Sequence, residues 1–530
     1  MLHSLSCRGG MVSAPHHLAA QAGASVLRDG GNAVEAMVAA AAAIAVVYPH
    51  MNSIGGDGFW LIAEPGKDPV GVQACGPAAG LADPAYYAAH GDKTIPTRGP
   101  RAALTVAGAV GGWARALEVA QGWGRALPLP RLLQDAIHHA GAGVPVTRSQ
   151  VALTASKWAE CAQVSGFAAT FAPRGLPGLH EVIAQPRLGA TLDRLAQAGL
   201  DDFYRGDLAQ SMAADLERVG SPLRLSDLQG YRASVVTPLS VPVRAGRIFN
   251  QPPPTQGVSA LAILGIFDRL GVEQAEGFAH LHGLVEATKR AFVWRNAKLG
   301  DPREMAARGF DPMAFLTDAS LAREAGLVDM RRAAAWPQPS SPGDTIWMGA
   351  ADRQGRVVSY IQSIYWEFGS GIVLDESGVN WQNRGAGFSL QPGPNQLGPG
   401  RLPFHTLNPS LARLNNGRVL AYGTMGGEGQ PQTQAAVFSR HVLFGQNLQQ
   451  AVTAPRWLLG RTWGEDSTNL KLESRFAPAL IEQLRAAGHD VQVVGEFEDM
   501  MGHAGAVQTH PEGVIEGATD PRADGICAAV

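Results

Sequence analysis

The sequence predicts an α+β fold in four layers, α/β/β/α. Three observations point there. Strand patterns occur near the front of the chain, a long stretch from about 105 to 330 is mostly helical, and strand periodicity returns after Thr345. At 530 residues the chain exceeds one ordinary small domain and can bury a large core. Hydrophobic residues make up 45% and charged residues 17%, the balance of a globular protein. A net charge of −3 gives no reason to expect nucleic acid or an anionic membrane as a partner.

The elements follow in order. Residues 14–29 read as a helix stopped by Gly30-Gly31, and Asn32 is a good N-cap for the next. The alanine-rich run 36–47 is too short to span a bilayer and reads as a buried helix. Ser53-Ile54-Gly55-Gly56-Asp57-Gly58 is a glycine turn before a strand over 59–63. No GxGxxG-to-helix pattern follows, so the glycines are read as close backbone packing. Helices are expected over 110–119, 129–140, 150–162, 192–198 and 207–219. Pro252-Pro253-Pro254-Thr255-Gln256-Gly257 is a rigid break before a helix over 258–270, and 280–298 reads as a long amphipathic helix. Strands are expected at 346–351 and 357–362, paired across an Asp352–Gly355 turn, and again at 418–422, 470–473 and 491–494, with a helix over 478–488.

Cys7, Cys75, Cys161 and Cys527 are widely separated and lack CxxC spacing, which argues against a zinc site or a disulfide framework. The first ten residues show no charged region followed by an apolar one, so a cytoplasmic protein is expected.

The point of greatest chemical interest is Gly343-Asp344-Thr345, at the start of the predicted hairpin. If the Asp344–Thr345 bond is cut, Thr345 gains a free α-amine that can activate its own hydroxyl. Alone, this would be an ordinary strand threonine.

Other motifs change that reading. Gly30-Gly31-Asn32-Ala33-Val34-Glu35-Ala36, Pro49-His50 and Gly55-Gly56-Asp57-Gly58-Phe59 resemble the opening of the γ-glutamyltransferase family. Gly108-Ala109-Val110-Gly111-Gly112-Trp113, the Pro252–Gly257 motif, Glu286-Ala287-x-Lys289-Arg290-Ala291-Phe292, Phe368-Gly369-Ser370-Gly371, Gly426-Gly427, Ala454-Pro455-Arg456 and Asp520-Pro521-Arg522 continue the match in one register. The resemblance implies an N-terminal-nucleophile (Ntn) hydrolase fold. It implies a proenzyme that cuts itself into a large fragment, 1–344, and a small one, 345–530, together one folded unit. It implies a small-molecule amide substrate, with no metal and no organic cofactor. The oligomeric state is left open, a homodimer being one assembly allowed.

The resemblance makes Thr345 the nucleophile and Ser363 its hydrogen-bonding neighbour. It makes Gly426 and Gly427 the source of oxyanion-binding N–H groups. Departures bear on substrate. Where family transferases clamp a γ-glutamyl group with an arginine and an aspartate, this chain has Gln73 and Gly387. Tyr365 replaces an asparagine, and His405 and Thr406 replace two serines. Loss of two charged partners should cost a glutamyl donor about 1.5–3 kcal/mol per hydrogen bond. Arg384, supported by Asn383, is the candidate for a relocated anion clamp. The set Tyr365, Arg384, His405 looks most like the branch that includes oxamate amidohydrolase. The expectation is hydrolysis of a small, carboxylate-bearing amide. The alternatives are a true γ-glutamyltransferase with a rearranged clamp and a catalytically dead homologue. His50 and Asp57 are read as packing or capping residues, and Arg98 and Arg101 as weaker candidates for the pocket mouth.

Overall fold

A computed structural model describes residues 3–336, 344–460 and 467–530. Gly343 lies outside the described residues, and Asp344 enters as the first residue of a strand.

Two seven-stranded antiparallel sheets form the centre. One runs Leu5–Cys7, Ile515–Thr519, Ala504–Thr509, Val419–Thr424, Ser410–Leu414, Gly246–Asn250, Leu239–Val243. The other runs Ile526–Ala529, Gly10–Ala14, Asp344–Asp352, Val357–Tyr365, Asp57–Ala63, Val70–Ala74, Ser234–Val236. Met11, Phe59, Leu61 and Trp347 from the second sheet meet Leu411, Val507 and Ile515 from the first in one core between them. Helices cover both outer faces. His17–Arg28 and Ala33–Val47 pack on Val12, Trp60, Ile62 and Tyr360. Gly257–Asp268, Phe278–Lys298 and Gln430–Phe438 pack on Val241, Ile248, Leu420 and Tyr422. The four-layer α/β/β/α expectation is met.

Local signals explain several boundaries. Asn32 caps the alanine-rich helix through Val34 and Glu35 N–H, and Glu35 reaches back to the Asn32 N–H. All fifteen residues of that helix are buried, as its composition requires. The hairpin after Thr345 pairs Ile346 with Gln362 and Ala351 with Val357. Trp347 crosses between the sheets. Its ring fills space that side chains at Gly423 and Gly505 would occupy, and its Nε1 donates to Ser359 Oγ at 3.0 Å.

One expectation needs correction and two gain detail. The stretch 105–330 is mostly helical, as expected, but it also holds strands Ser234–Val236 and Leu239–Val243 at sheet edges and Gly246–Asn250 beside the second of them. Helix Phe278–Lys298 is amphipathic only in its second half, where Val293, Asn296 and Ala297 are exposed beside buried Ala291, Phe292 and Arg295. Its residues from His280 to Lys289 are all buried, with Lys289 paired to Glu286 at 2.7 Å. Leu470–Glu473 and Val491–Val494 are strands, as expected, and join Trp457–Leu459 in a separate three-stranded sheet. Among the described residues no helix is long and apolar enough to cross a membrane.

The C-terminal motifs meet in a buried ion network. Asp520 accepts from Arg456, from Arg522 at 3.0 Å and from the Ala504 N–H at 2.6 Å, while Arg522 also holds Glu473 at 2.6 Å. Burial works against the charge on Asp520, but Arg456 and Arg522 hold its pKa below the ordinary carboxylate range. Removing one member strands the other charges in the interior. Asp520→Ala is therefore expected to destabilise the protein by about 3–5 kcal/mol in chemical denaturation. A loss below about 1 kcal/mol would show that the network relaxes without cost.

Candidate active site

Thr345 is the second residue of a strand buried inside its sheet. It is fully buried, and its hydroxyl donates to Ser363 Oγ at 3.3 Å. Ser363 Oγ also accepts from the Tyr365 N–H at 2.8 Å. Tyr365 reaches that position with φ +82, a conformation bulky residues rarely adopt. The strand bearing Ser363 is approached so closely by the glycine turn that a side chain at Gly56 would strike the Ser363 carbonyl. The turn is close packing, as read from the sequence.

Arg384 lies against this corner. Its guanidinium carbon sits 3.6 Å from the Tyr365 ring centroid, and Nη1 donates to Thr406 Oγ1 at 3.3 Å. The side chain is 1% exposed, yet Nε and Nη2 have no hydrogen-bond partner among the described residues. A side chain at Gly387 would come within 2.8 Å of Nη2, so the glycine leaves the guanidinium its room.

His405 and Asp57 complete the buried wall. His405 Nε2 and Asp57 Oδ2 are 3.1 Å apart, and neither atom makes a well-formed hydrogen bond elsewhere. Asp57 Oδ1 accepts from the Gly76 and Gly108 N–H groups and from Gln382, each at 3.1 Å. Asp57 is directly opposite Ser363 in the strand register. Burial pushes the Asp57 carboxyl up to about 7, against the pull of Gln382, Gly76, Arg384 and Gly108. Burial, then Arg384, holds the His405 pKa well below the ordinary 6.5. These opposite shifts favour the uncharged form of each group over an ion pair. The sequence signal for Asp57 was its place in the glycine motif, but His405, 348 residues away, could not be paired with it.

Gly426 and Gly427 follow strand Val419–Thr424, with φ +113 and +50. They open the helical stretch of Gly427–Gly429 and Gln430–Phe438. The first N–H groups of such a stretch lack partners within it. Gly429 N–H donates to the Gly426 carbonyl at 2.8 Å, which holds the turn.

Other sequence candidates are tied to structure. Gln73 Nε2 donates to the Pro252 and Pro253 carbonyls at 3.0 and 3.1 Å. Asn383 donates to the Thr97 carbonyl at 2.8 Å and accepts from the Trp366 N–H at 3.1 Å, so it braces the wall beside Arg384. Arg98 is turned to the Glu367 and Gly369 carbonyls, Arg101 to Asp92, and His50 Nε2 to Ser149. Elsewhere, His282, Glu286 and His489 place potential metal-ligand atoms within 4.8 Å of one another. They are already engaged: His282 with His489 and the Asp329 carbonyl, Glu286 with Lys289 and the Ala334 N–H.

Residues 19–530 match the gamma-glutamyltranspeptidase family model. The chain is 53% identical over 522 residues to the oxamate amidohydrolase proenzyme of Klebsiella pneumoniae, covering 98% of each. It is 38% identical to a glutathione hydrolase-like proenzyme of Bacillus subtilis, again over 98% of each. Its structure superposes on cephalosporin acylase from Bacillus halodurans with a TM-score of 0.91 at 33% identity, covering 99% of this chain and 97% of that one. The chain belongs to the gamma-glutamyltranspeptidase family, has its Ntn-hydrolase fold and is an amidohydrolase of that family.

A carboxyl whose pKa rises on folding supplies stability that is complete below its unfolded value and is lost as pH climbs through its folded one. For Asp57 that window runs from the ordinary 3.8 to about 7. Asp57→Asn keeps the Oδ1 acceptor and mimics the protonated acid. Its Tm advantage over the parent is expected to be absent near the bottom of this window and to grow until about pH 7. A difference that stays constant across the window would show Asp57 to be ionised throughout.

Proposed function

We propose that the protein is a self-processing threonine amidohydrolase that cleaves a small amide bearing an adjacent carboxylate, as oxamate does. Processing breaks the Asp344–Thr345 bond and yields fragments 1–344 and 345–530. The new Thr345 α-amine then accepts the proton of its own hydroxyl. Oγ1 attacks the substrate carbonyl, and the negative charge gathers on the carbonyl oxygen. N–H groups of Gly426 and Gly427 receive that charge, the kind of contact worth about 3 kcal/mol of barrier. The amine returns its proton to the departing nitrogen, and ammonia leaves an ester on Thr345. Water, deprotonated by the same amine, attacks the ester and frees the acid. Ser363 orients the Thr345 hydroxyl throughout.

The observation that carries the substrate class is Arg384. A buried guanidinium with two unpartnered nitrogens calls for an anion, because an uncompensated interior charge is costly. A carboxylate next to the scissile carbonyl supplies it with charge-assisted hydrogen bonds. Burial disfavours charge on both His405 and Asp57, which weakens Asp57 as a rival anion for Arg384. The 53% identical relative is named for oxamate hydrolysis, in keeping with this reading. A γ-glutamyl substrate fits less well. At the two clamp positions, the Gln73 amide nitrogen is held by backbone carbonyls and Gly387 has no side chain.

Thr345→Ala is expected to run as one full-length band on denaturing electrophoresis and to show no turnover, whereas the parent gives two bands. Persisting hydrolysis in that variant would refute the nucleophile. Arg384→Ala is expected to raise KM for oxamate at least about tenfold while leaving a neutral amide little changed. Equal KM values for parent and variant would sink the clamp. Faster turnover of a γ-glutamyl anilide than of oxamate, enhanced by a dipeptide acceptor, would favour the transferase alternative.

A further inference from the structure

One amide side chain ties both halves of the proposed site together, and it comes from the large fragment. Gln256 is fully buried at the start of helix Gly257–Asp268. Its Nε2 donates to the Gly427 carbonyl at 2.9 Å and to the Thr406 carbonyl at 2.8 Å. The Gly427 carbonyl belongs to the glycine turn. Thr406 is the residue that accepts from Arg384. Backbone bonds reinforce the second contact: Gln256 N–H donates to the His405 carbonyl, and His405 N–H to the Pro254 carbonyl, both at 2.9 Å.

The amide is itself held. Arg295 Nη1 donates to Gln256 Oε1 at 2.9 Å, and Arg295 Nη2 pairs with Glu428, the residue after the glycine pair. Arg295 and Glu428 are each 3% exposed. The Arg295 guanidinium carbon stands 3.7 Å from the Phe292 ring centroid, which limits its swing. Because Oε1 faces a guanidinium, the NH2 end must face the two carbonyls, so the amide has one consistent orientation. Every hydrogen bond in this chain crosses between segments far apart in sequence: 254–256, 295, 405–406 and 427–428.

We propose that Gln256 is a positioning residue that, with Arg295 and Glu428, holds the glycine turn and the 405–406 segment in fixed relation. The inference rests on the reading of Gly426–Gly427 as the donor turn. The physical need is plain. Oxyanion donors act only when their N–H groups are already aimed, and a misplacement of about 1 Å costs about a hundredfold in rate. A glycine pair has the least intrinsic preference for any one conformation, so its geometry must be imposed from outside. Gly429 fixes one peptide of the turn and Gln256 the next. The small fragment alone lacks this brace, since Gln256 and Arg295 both precede the cut.

The test is Gln256→Met, which keeps length and removes both donated bonds. In the processed enzyme kcat is expected to fall about tenfold or more for anionic and neutral amides alike, since the turn serves any carbonyl. Arg384→Ala, by contrast, acts on anionic amides only. Glu428→Gln is expected to lower kcat less, and the double variant to fall short of the product of the single effects, because both act through one chain of contacts. Hydrogen–deuterium exchange supplies a readout that needs no turnover and applies equally to unprocessed protein: peptides covering 425–430 and 404–407 should exchange faster in Gln256→Met. A kcat within about twofold of the parent, or unchanged exchange in both peptides, overturns the inference. Failure of the functional reading shows separately, as absence of amide turnover in the parent or its survival in Thr345→Ala.

Discussion

A guanidinium buried with two nitrogens unpartnered among the described residues governs this site. Arg384 is surrounded by Tyr365, Thr406 and the bare backbone of Gly387, and none of these can neutralise it. Its carboxylate neighbour, Asp57, is driven towards the neutral form by burial and faces His405, whose charged form burial also disfavours. Proteins seldom leave a guanidinium so placed. Under the proposed function, a substrate carboxylate supplies the charge those nitrogens call for. Selectivity follows from what the wall lacks as much as from what it contains.

The framework around that charge is unusually interlocked. The strand beginning at Asp344 lies between Gly10–Ala14 and Val357–Tyr365, and the latter pairs with Asp57–Ala63. Residues on both sides of the expected cut are therefore woven into one sheet. Breaking one peptide bond at the end of a strand leaves the ladder beyond it intact. The second sheet presents the glycine turn at the end of Val419–Thr424, and Trp347 fills the gap between the sheets where Gly423 and Gly505 make room.

Large-fragment residues also reach into the small fragment's chemistry. Asp57 stands opposite Ser363, Gln256 holds the Gly427 carbonyl, and Arg295 pairs with Glu428. None of the three is a reacting group in the proposed mechanism. With the cut proposed after Asp344, both fragments contribute walls of the proposed site.

Much was legible in the residues themselves. The alanine-rich run with Asn32 and Glu35 could only be a capped, buried helix, and the Asp352–Gly355 turn between two apolar runs could only be a hairpin. The ordered motifs around Thr345, Gly426 and Gly427 identified the family, and the absent clamp residues at Gln73 and Gly387 pointed to a different substrate. Strands Ser234–Val236, Leu239–Val243 and Gly246–Asn250 escaped notice within a stretch whose pattern is mostly helical. What only the tertiary structure decided was partnership. Asp57 with His405, Gln256 with Gly427, and the unpaired state of Arg384 depend on contacts between segments up to several hundred residues apart. Local sequence carries propensity and pattern. Whether a buried polar atom has a partner is a property of distances that exist only once the chain has folded.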